Sequence, residues 1–123
     1  MYFAADDSLV SASGNFTNPV EFTLRADQNE SDEVRLYAMC DTGYQATSTS
    51  VALQGTSAAR WQLAADSTGT PGSYGAGPLN LGTVGAGSGG RVYFWAKAEA
   101  IDTEEIGVDD SVTLKLEGVG AAV

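Results

Sequence analysis

Apolar and polar residues alternate in short runs along most of the chain. The clearest runs cover residues 20–24, 34–38, 92–97 and 112–117. Because successive side chains of a strand point to opposite faces, this period of two predicts strands with one buried and one exposed face. The sequence has no segment with the helical period of 3.6 residues. The pattern therefore predicts an all-β protein.

Glycine-rich stretches separate the alternating runs. Residues 66–77 predict a long loop, and residues 85–90 predict a hairpin turn because a strand, not a helix, follows them. With a short strand around residues 9–10, we expect about seven or eight strands, with turn signals roughly every 8–12 residues. This spacing predicts a single domain over residues 1–123, an antiparallel Greek-key sandwich.

The strand predicted over residues 91–98 carries aromatic side chains on both faces. Phe94 lies on one face, and Tyr93 and Trp95 lie on the other. A strand of this kind is central in its sheet or is covered on its second face. We expect Trp61, together with either Phe94 or Trp95, to belong to the core.

The two ends of the chain are apolar and show little predicted local structure. We expect extended arms at residues 1–7 and 118–123, which could dock on a neighbouring molecule. Residues 1–7 also lack the basic region and the long apolar region of a secretion signal, so we expect no signal peptide there.

The charge balance limits the partners that the sequence predicts. The formal net charge is −10, from 6 basic and 16 acidic residues. A surface of this sign repels phosphate backbones and anionic lipid. We therefore expect neither nucleic acid nor membrane as a partner.

Cysteine and histidine are nearly absent, which excludes several kinds of chemistry. Cys40 is the single cysteine and there is no histidine, so no intrachain disulfide and no Ser-His or Cys-His pair can form. Zinc is disfavoured for the same reason. Cys40 follows an apolar run, and we expect a buried, inert thiol. The sequence predicts no catalytic residues and a protein that is not an enzyme.

Carboxylates are the one reactive group in surplus, and they suggest calcium. Residues 27–33 carry oxygen side chains at alternate positions, and residues 102–110 form an acidic loop. Calcium takes six to eight oxygen ligands, and such loops supply them, although neither segment is an EF-hand. The candidate calcium ligands are Asp27, Asn29, Glu33, Asp102, Asp109 and Asp110. No other cofactor is predicted. A carboxylate pair for glycoside hydrolysis is the weaker alternative for the acidic loop.

Four segments give the chain the layout of an immunoglobulin-like domain. They are residues 61–63, residues 79–82, residues 91–96 and residues 111–114. Antibody-type domains carry a cysteine pair beside a buried tryptophan, whereas this chain has Cys40 alone. The whole chain also resembles the small immunoglobulin-like structural proteins of tailed-phage virions, which are short, acidic and rich in Gly, Ser and Thr. The resemblance implies a virion location, as a capsid decoration protein or a tail-associated subunit.

Two functions follow from the surplus of aromatic residues, which are enriched at subunit interfaces and on sugar-binding surfaces. The candidate interface residues are Tyr2, Phe3, Tyr44, Tyr74, Tyr93 and Trp95. The first hypothesis is a structural subunit that binds copies of itself and a major capsid or tail protein. The alternative is a carbohydrate-binding or adhesion module at the extracellular surface, with calcium assisting.

Overall fold

The fold consists of strands joined by short connections. The computed structural model describes residues 2–5, 8–12, 15–16, 30–55, 58–99 and 112–123. Its strands are β1 (Tyr2–Ala5), β2 (Ser8–Ala12), β3 (Asn15–Phe16), β4 (Ser31–Met39), β5 (Tyr44–Gln54), β6 (Trp61–Ser67), β7 (Thr70–Pro71), β8 (Leu79–Val84), β9 (Val92–Glu99) and β10 (Thr113–Ala122). Within the described ranges the remaining regular structure is two 3-10 turns, Ala58–Arg60 and Ser88–Gly90.

The described strands form two antiparallel sheets. The large sheet has the order β3-β2-β1-β4-β9-β6-β7, and the small sheet has the order β10-β5-β8. Every described strand pair is antiparallel. The all-β, antiparallel class predicted from the alternation is therefore confirmed. From β4 onward the chain changes sheet at every connection except the one between β6 and β7.

Strand β9 is central in the large sheet, as its two aromatic faces predict. It pairs with β4 on one side, where Phe94 lies opposite Leu36. It pairs with β6 on the other side, where Phe94 lies opposite Ala65. Phe94 is fully buried, whereas Tyr93 is half-buried on the opposite face. The alternation of β9 thus separates a core face from an outer face.

Both sheets contribute to the main hydrophobic core. Its buried members are Leu36, Val51, Leu63, Phe94 and Ala96. Trp61 packs against this cluster, so Phe94 and not Trp95 is its partner in the core. A second cluster consists of Ala38, Cys40, Ala46 and Val84, and the thiol of Cys40 is free and buried, as predicted. Burial of apolar area in these clusters is the main force that holds the sheets together.

The ends of the described chain are paired strands, which differs from the arms predicted there. Residues 118–122 continue β10, where Gly120 lies opposite Ala46 and Ala122 lies opposite Tyr44. At the other end, β1 falls inside the predicted arm 1–7 and pairs with both β2 and β4. Strands pair through backbone hydrogen bonds, which do not require alternating apolar and polar side chains. The glycine and alanine residues of these segments therefore show no period of two from which a strand could be predicted.

The glycine-rich turn between β8 and β9 joins the two sheets and does not close a hairpin. The two strands that it connects lie in different sheets. The Gly85 N–H donates to the Gly90 carbonyl at 3.1 Å. A Cβ on Gly90 would lie 2.2 Å from the carbonyl carbon of Gly85, so only glycine fits this close approach. Whether a turn joins two strands of one sheet or of different sheets depends on tertiary packing. The local sequence of the turn does not determine it.

A β-bulge interrupts β5 at its middle. Glu117 of β10 lies opposite Ser50, but Val119 lies opposite Thr47, so β5 holds two residues where β10 holds Gly118 alone. One of these two, Ser48, has a φ of 51°, in the left-handed region. The extra residue belongs to β5, and the alternation of β10 therefore continues unbroken across the bulge.

Candidate interaction surface

The outer face of the large sheet, on the side away from the core, carries an ordered group of side chains. We call this group the outer cluster; its members are Arg35, Tyr37, Asp66, Arg91, Tyr93 and Trp95. The register explains how they meet, because Arg35 lies opposite Trp95 and Tyr37 lies opposite Tyr93 between β4 and β9. Directly opposite residues of an antiparallel pair share one face of the sheet.

Asp66 joins three strands of this face. The Arg35 Nε and Nη2 atoms donate to the two carboxylate oxygens at 3.1 and 2.9 Å. The indole N–H of Trp95 donates to the Oδ1 atom at 2.9 Å, and the Gly69 N–H donates to the Oδ2 atom at 3.4 Å. The hydrogen bonds from Arg35 lower the pKa of Asp66 below its usual value of 3.8, against an opposing effect of burial. Asp66 is therefore an ionised acceptor at neutral pH.

The aromatic rings of the outer cluster are in contact with its two arginines. The Tyr37 and Tyr93 rings meet edge to face, with centroids 5.4 Å apart. The Arg35 guanidinium lies 3.9 Å from the Tyr93 ring centroid, and that of Arg91 lies 4.2 Å from the Tyr37 centroid. Tyr37 is only 4% exposed. These cation–π and edge-to-face contacts hold the cluster in one conformation.

A second contact group extends the outer cluster toward the loop after β7. The Tyr74 hydroxyl donates to a carboxylate oxygen of Glu33 at 2.6 Å. The Lys97 ammonium lies 5.3 Å from the Tyr74 ring centroid. Burial raises the pKa of Tyr74, and the Glu33 carboxylate adds to the rise. Tyr74 is thus fixed against β4 and β9 by one ring and one hydroxyl contact.

Among the residues whose burial the structure describes, the exposed large apolar side chains lie on the small sheet, near the C-terminal end of β10. They are Tyr44, Val119 and Val123, which are 59%, 65% and 72% exposed. Ala122 lies opposite Tyr44, and the Val123 N–H donates to the Gly43 carbonyl at 2.8 Å. Residues 117–123 are all exposed. This half of β10 presents an apolar strand to the surroundings.

The structure brings together three of the predicted interface residues and separates the others. Tyr93 and Trp95 belong to the outer cluster, and Tyr74 lies beside it. Tyr44 is on the small sheet. The backbones of Tyr2 and Phe3 lie in β1, opposite Met39 and Ala38.

The predicted calcium ligands fall mostly outside the described residues. Glu33 is described, and its carboxylate accepts the hydrogen bond from Tyr74. Asp27, Asn29, Asp102, Asp109 and Asp110 lie outside the described residues. In the part of the chain that the structure describes, no three His, Cys, Asp or Glu side chains gather as metal ligands. Calcium binding stays a prediction.

Arg35 and Asp66 are not among the interface residues predicted from the sequence, and Val119 is predicted only as part of the arm 118–123. Alternation places Arg35 on the same face as Tyr37, and a lone cation beside aromatic residues is the signal that could have found it. Asp66 stands at the start of a glycine-rich stretch and looks like a turn residue. Only the register of β6 against β9 shows that it reaches Trp95.

Comparison with known proteins identified no related protein. No family model, curated protein or solved structure matches the chain. Among the described residues, none of the helical segments is long and apolar enough to span a bilayer. The features that bear on function are therefore two surfaces, the outer cluster and the exposed end of β10.

Proposed function

We propose that the chain is a non-enzymatic structural subunit of a virion or a similar surface assembly. The most specific form of this proposal is a capsid decoration protein that stabilises a shell through symmetric subunit contacts. Its partners would be further copies of itself and a major capsid or tail protein. The observation that carries the proposal is the edge of the small sheet, where residues 117–123 are exposed and Val119 is 65% exposed.

An exposed edge strand is suited to assembly because its free N–H and C=O groups can pair with another chain. Proteins that remain monomeric protect such edges with proline, charge or bulges. From Gly118 to Val123 the chain carries no side-chain charge and no proline. The bulge at this level adds its extra residue to β5, which leaves β10 regular.

The outer cluster contributes rigidity to the same role. Its arginines, its carboxylate and its rings are already in contact with one another. A surface whose side chains are held in place loses little conformational entropy on binding. The cluster therefore suits a permanent contact of fixed shape better than a site that must reshape around varied ligands.

We also propose that the two sheets pack face to face as one immunoglobulin-like Greek-key sandwich. The shared core of residues from both sheets supports this, as do connections that cross between the sheets. One difference in strand order is notable. In the described chain β9 and β10 lie in different sheets, whereas the last two strands of the constant-type order, F and G, lie in the same sheet.

The mass of the particle in solution tests the structural role. Light scattering on the purified chain should show a concentration-dependent, closed oligomer, and cosedimentation with assembled shells should show saturable binding. A chain that stays monomeric and binds neither itself nor a shell would contradict the proposal.

Tyr44 supports the alternative, a carbohydrate-binding or adhesion module. Its ring is 59% exposed and lies on a sheet surface, where an aromatic ring can stack on a sugar. A glycan array distinguishes the two functions, because a structural subunit should bind none of its glycans. For the module, a glycan signal should appear and disappear in Tyr44→Ala, and a chelator should weaken it if calcium assists.

A further inference from the structure

Strand β10 has the length and regularity that sheet extension requires. It contains ten residues, and within the part of the chain that the structure describes β5 is the one strand that pairs with it. Its side chains alternate without a bulge, with Leu116 on the core face and Lys115 and Glu117 on the outer face. A regular strand of this length offers its second edge to an incoming strand without distortion.

We propose that the second edge of β10 pairs antiparallel with β10 of a second copy, about a two-fold axis that passes beside Leu116. This inference rests on the proposed structural role and names the contact through which copies associate. The three described strands of each small sheet then form one continuous sheet of six strands. Such an interface is isologous, so each contact occurs twice.

Charge favours this register over the two neighbouring ones that keep the core faces on one side. With the axis at Leu116, Lys115 of each copy lies opposite Glu117 of the other, which is a favourable cross-strand pair. Moving the axis by one residue places Lys115 opposite Lys115, or Glu117 opposite Glu117. Both alternatives oppose like charges, which is destabilising.

The ion pair within each strand supports the same arrangement. Lys115 and Glu117 already form a salt bridge on the outer face, and their side chains are 50% and 59% exposed. In the dimer the four charges form a square in which each lysine lies between two carboxylates. The pair therefore favours this register of self-pairing over its two neighbours, a known means of specifying strand partners.

The contact is small, so the dimer should be weak on its own. Residues 113–119 pair with their counterparts, a seam of about 24 Å at roughly 3.4 Å per residue. Interfaces of such limited area belong to weak or multivalent associations. A weak two-fold contact suits a subunit that is also bound to a shell, where the second contact benefits from high local concentration.

Charge reversal tests the inference on the full chain by sedimentation equilibrium. Glu117→Lys and Lys115→Glu should each raise the dimer dissociation constant at least about tenfold, equal to about 1.4 kcal/mol. The double variant K115E/E117K restores opposite charges at both positions and should recover dimerisation to within a few-fold. Asp41→Lys is the matched control, because it makes the same charge change as Glu117→Lys at an exposed turn residue. At about 0.15 M salt, where the net-charge repulsion between copies is nearly removed, it should leave the dissociation constant unchanged.

Hydrogen exchange gives a second measurement that needs no variant. Amides within residues 113–119 should become more protected as the concentration of the unmodified chain rises. If the chain forms an oligomer whose dissociation constant is unchanged by both single reversals, and if residues 113–119 gain no protection, the β10 contact is overturned. The structural role would remain intact. A monomer at every concentration that binds a glycan would overturn both.

Discussion

At the residue scale, Asp66 determines the order of the outer cluster. It accepts hydrogen bonds from Arg35 of β4 and from Trp95 of β9, while belonging itself to β6. Its side chain is 13% exposed, and that of Arg35 is 39% exposed. A carboxylate in this setting has lost most of its water and depends on its protein donors. Its removal should therefore loosen three strands at one point.

Replacement of Asp66 with asparagine should lower the free energy of unfolding by about 1–2 kcal/mol. Hydrogen bonds to charged groups contribute roughly 1.5–3 kcal/mol, and the partial exposure of Arg35 reduces this value. Urea titration of Asp66→Asn against the unmodified chain measures the loss. Asp32→Asn is the control, since Asp32 is an exposed carboxylate of β4 and should have a small effect.

The pH dependence follows from the depressed pKa of Asp66. A carboxylate whose pKa is lower in the folded state adds stability that is complete above its unfolded value, near 3.8. This stability disappears as the pH falls through the folded value. The gap between Asp66→Asn and the unmodified chain should thus be constant near neutral pH and close in acid. A gap that stayed constant into strong acid would show that the effect is not ionic.

The composition of the outer cluster could be predicted only in part. Alternation in β9 placed Tyr93 and Trp95 together on the face opposite Phe94, and the structure has them there. The partners Arg35 and Asp66 come from strands that are distant in the sequence. Their meeting depends on the register between strands, which local pattern does not encode.

At the element scale, β5 shows how a bulge removes the alternating pattern from which a strand is predicted. In this part of the sequence the apolar residues Val51 and Leu53 predict only a short strand, whereas β5 runs from Tyr44 to Gln54. Ser48 and Thr49 shift the register at its middle, and Thr49 is a polar residue that is fully buried. Both features break the alternation from which strands are predicted. By contrast β4 and β9, without bulges between them, match their predicted bounds within a few residues.

Two serine-to-glycine substitutions in β5 should change stability in opposite directions. Ser48 has a φ of 51°, and a left-handed conformation costs an L-residue roughly 1–2 kcal/mol. Glycine avoids this cost but adds about 0.5–1 kcal/mol of chain entropy, so Ser48→Gly should stabilise the fold by about 0.5–1 kcal/mol. Ser50→Gly, two residues along the same strand, should destabilise it by a similar amount. Thermal unfolding of both variants checks the pair.

A stabilising effect of both substitutions, or of neither, would contradict the assigned conformation of Ser48. Equal destabilisation would mean that Ser48 has ordinary strand geometry, with the extra residue of β5 accommodated elsewhere. The bulge also matters for β10, because a bulge displaced onto that strand would interrupt the edge at Gly118. The same comparison therefore tests whether β10 can extend a sheet.

At the scale of the whole molecule, net charge opposes the contact that the edge of β10 favours. Each chain carries a formal charge of −10. Taken as point charges about 30 Å apart, two copies repel by roughly 5 kcal/mol at 0.01 M salt and roughly 0.3 kcal/mol at 0.15 M. The facing pairs of Lys115 and Glu117 contribute about 1 kcal/mol each in water, and their short separation makes them less sensitive to salt.

Added salt should therefore strengthen the dimer up to physiological ionic strength. The long-range repulsion exceeds the local attraction at low salt and is nearly removed near 0.15 M, where the Debye length is about 8 Å. Sedimentation equilibrium over a series of sodium chloride concentrations measures the dissociation constant directly. In K115E/E117K the net charge is unchanged, so the same salt dependence should appear. If salt instead weakened association from the lowest concentration onward, local ion pairs would dominate and the net charge of the chain would have little effect on assembly.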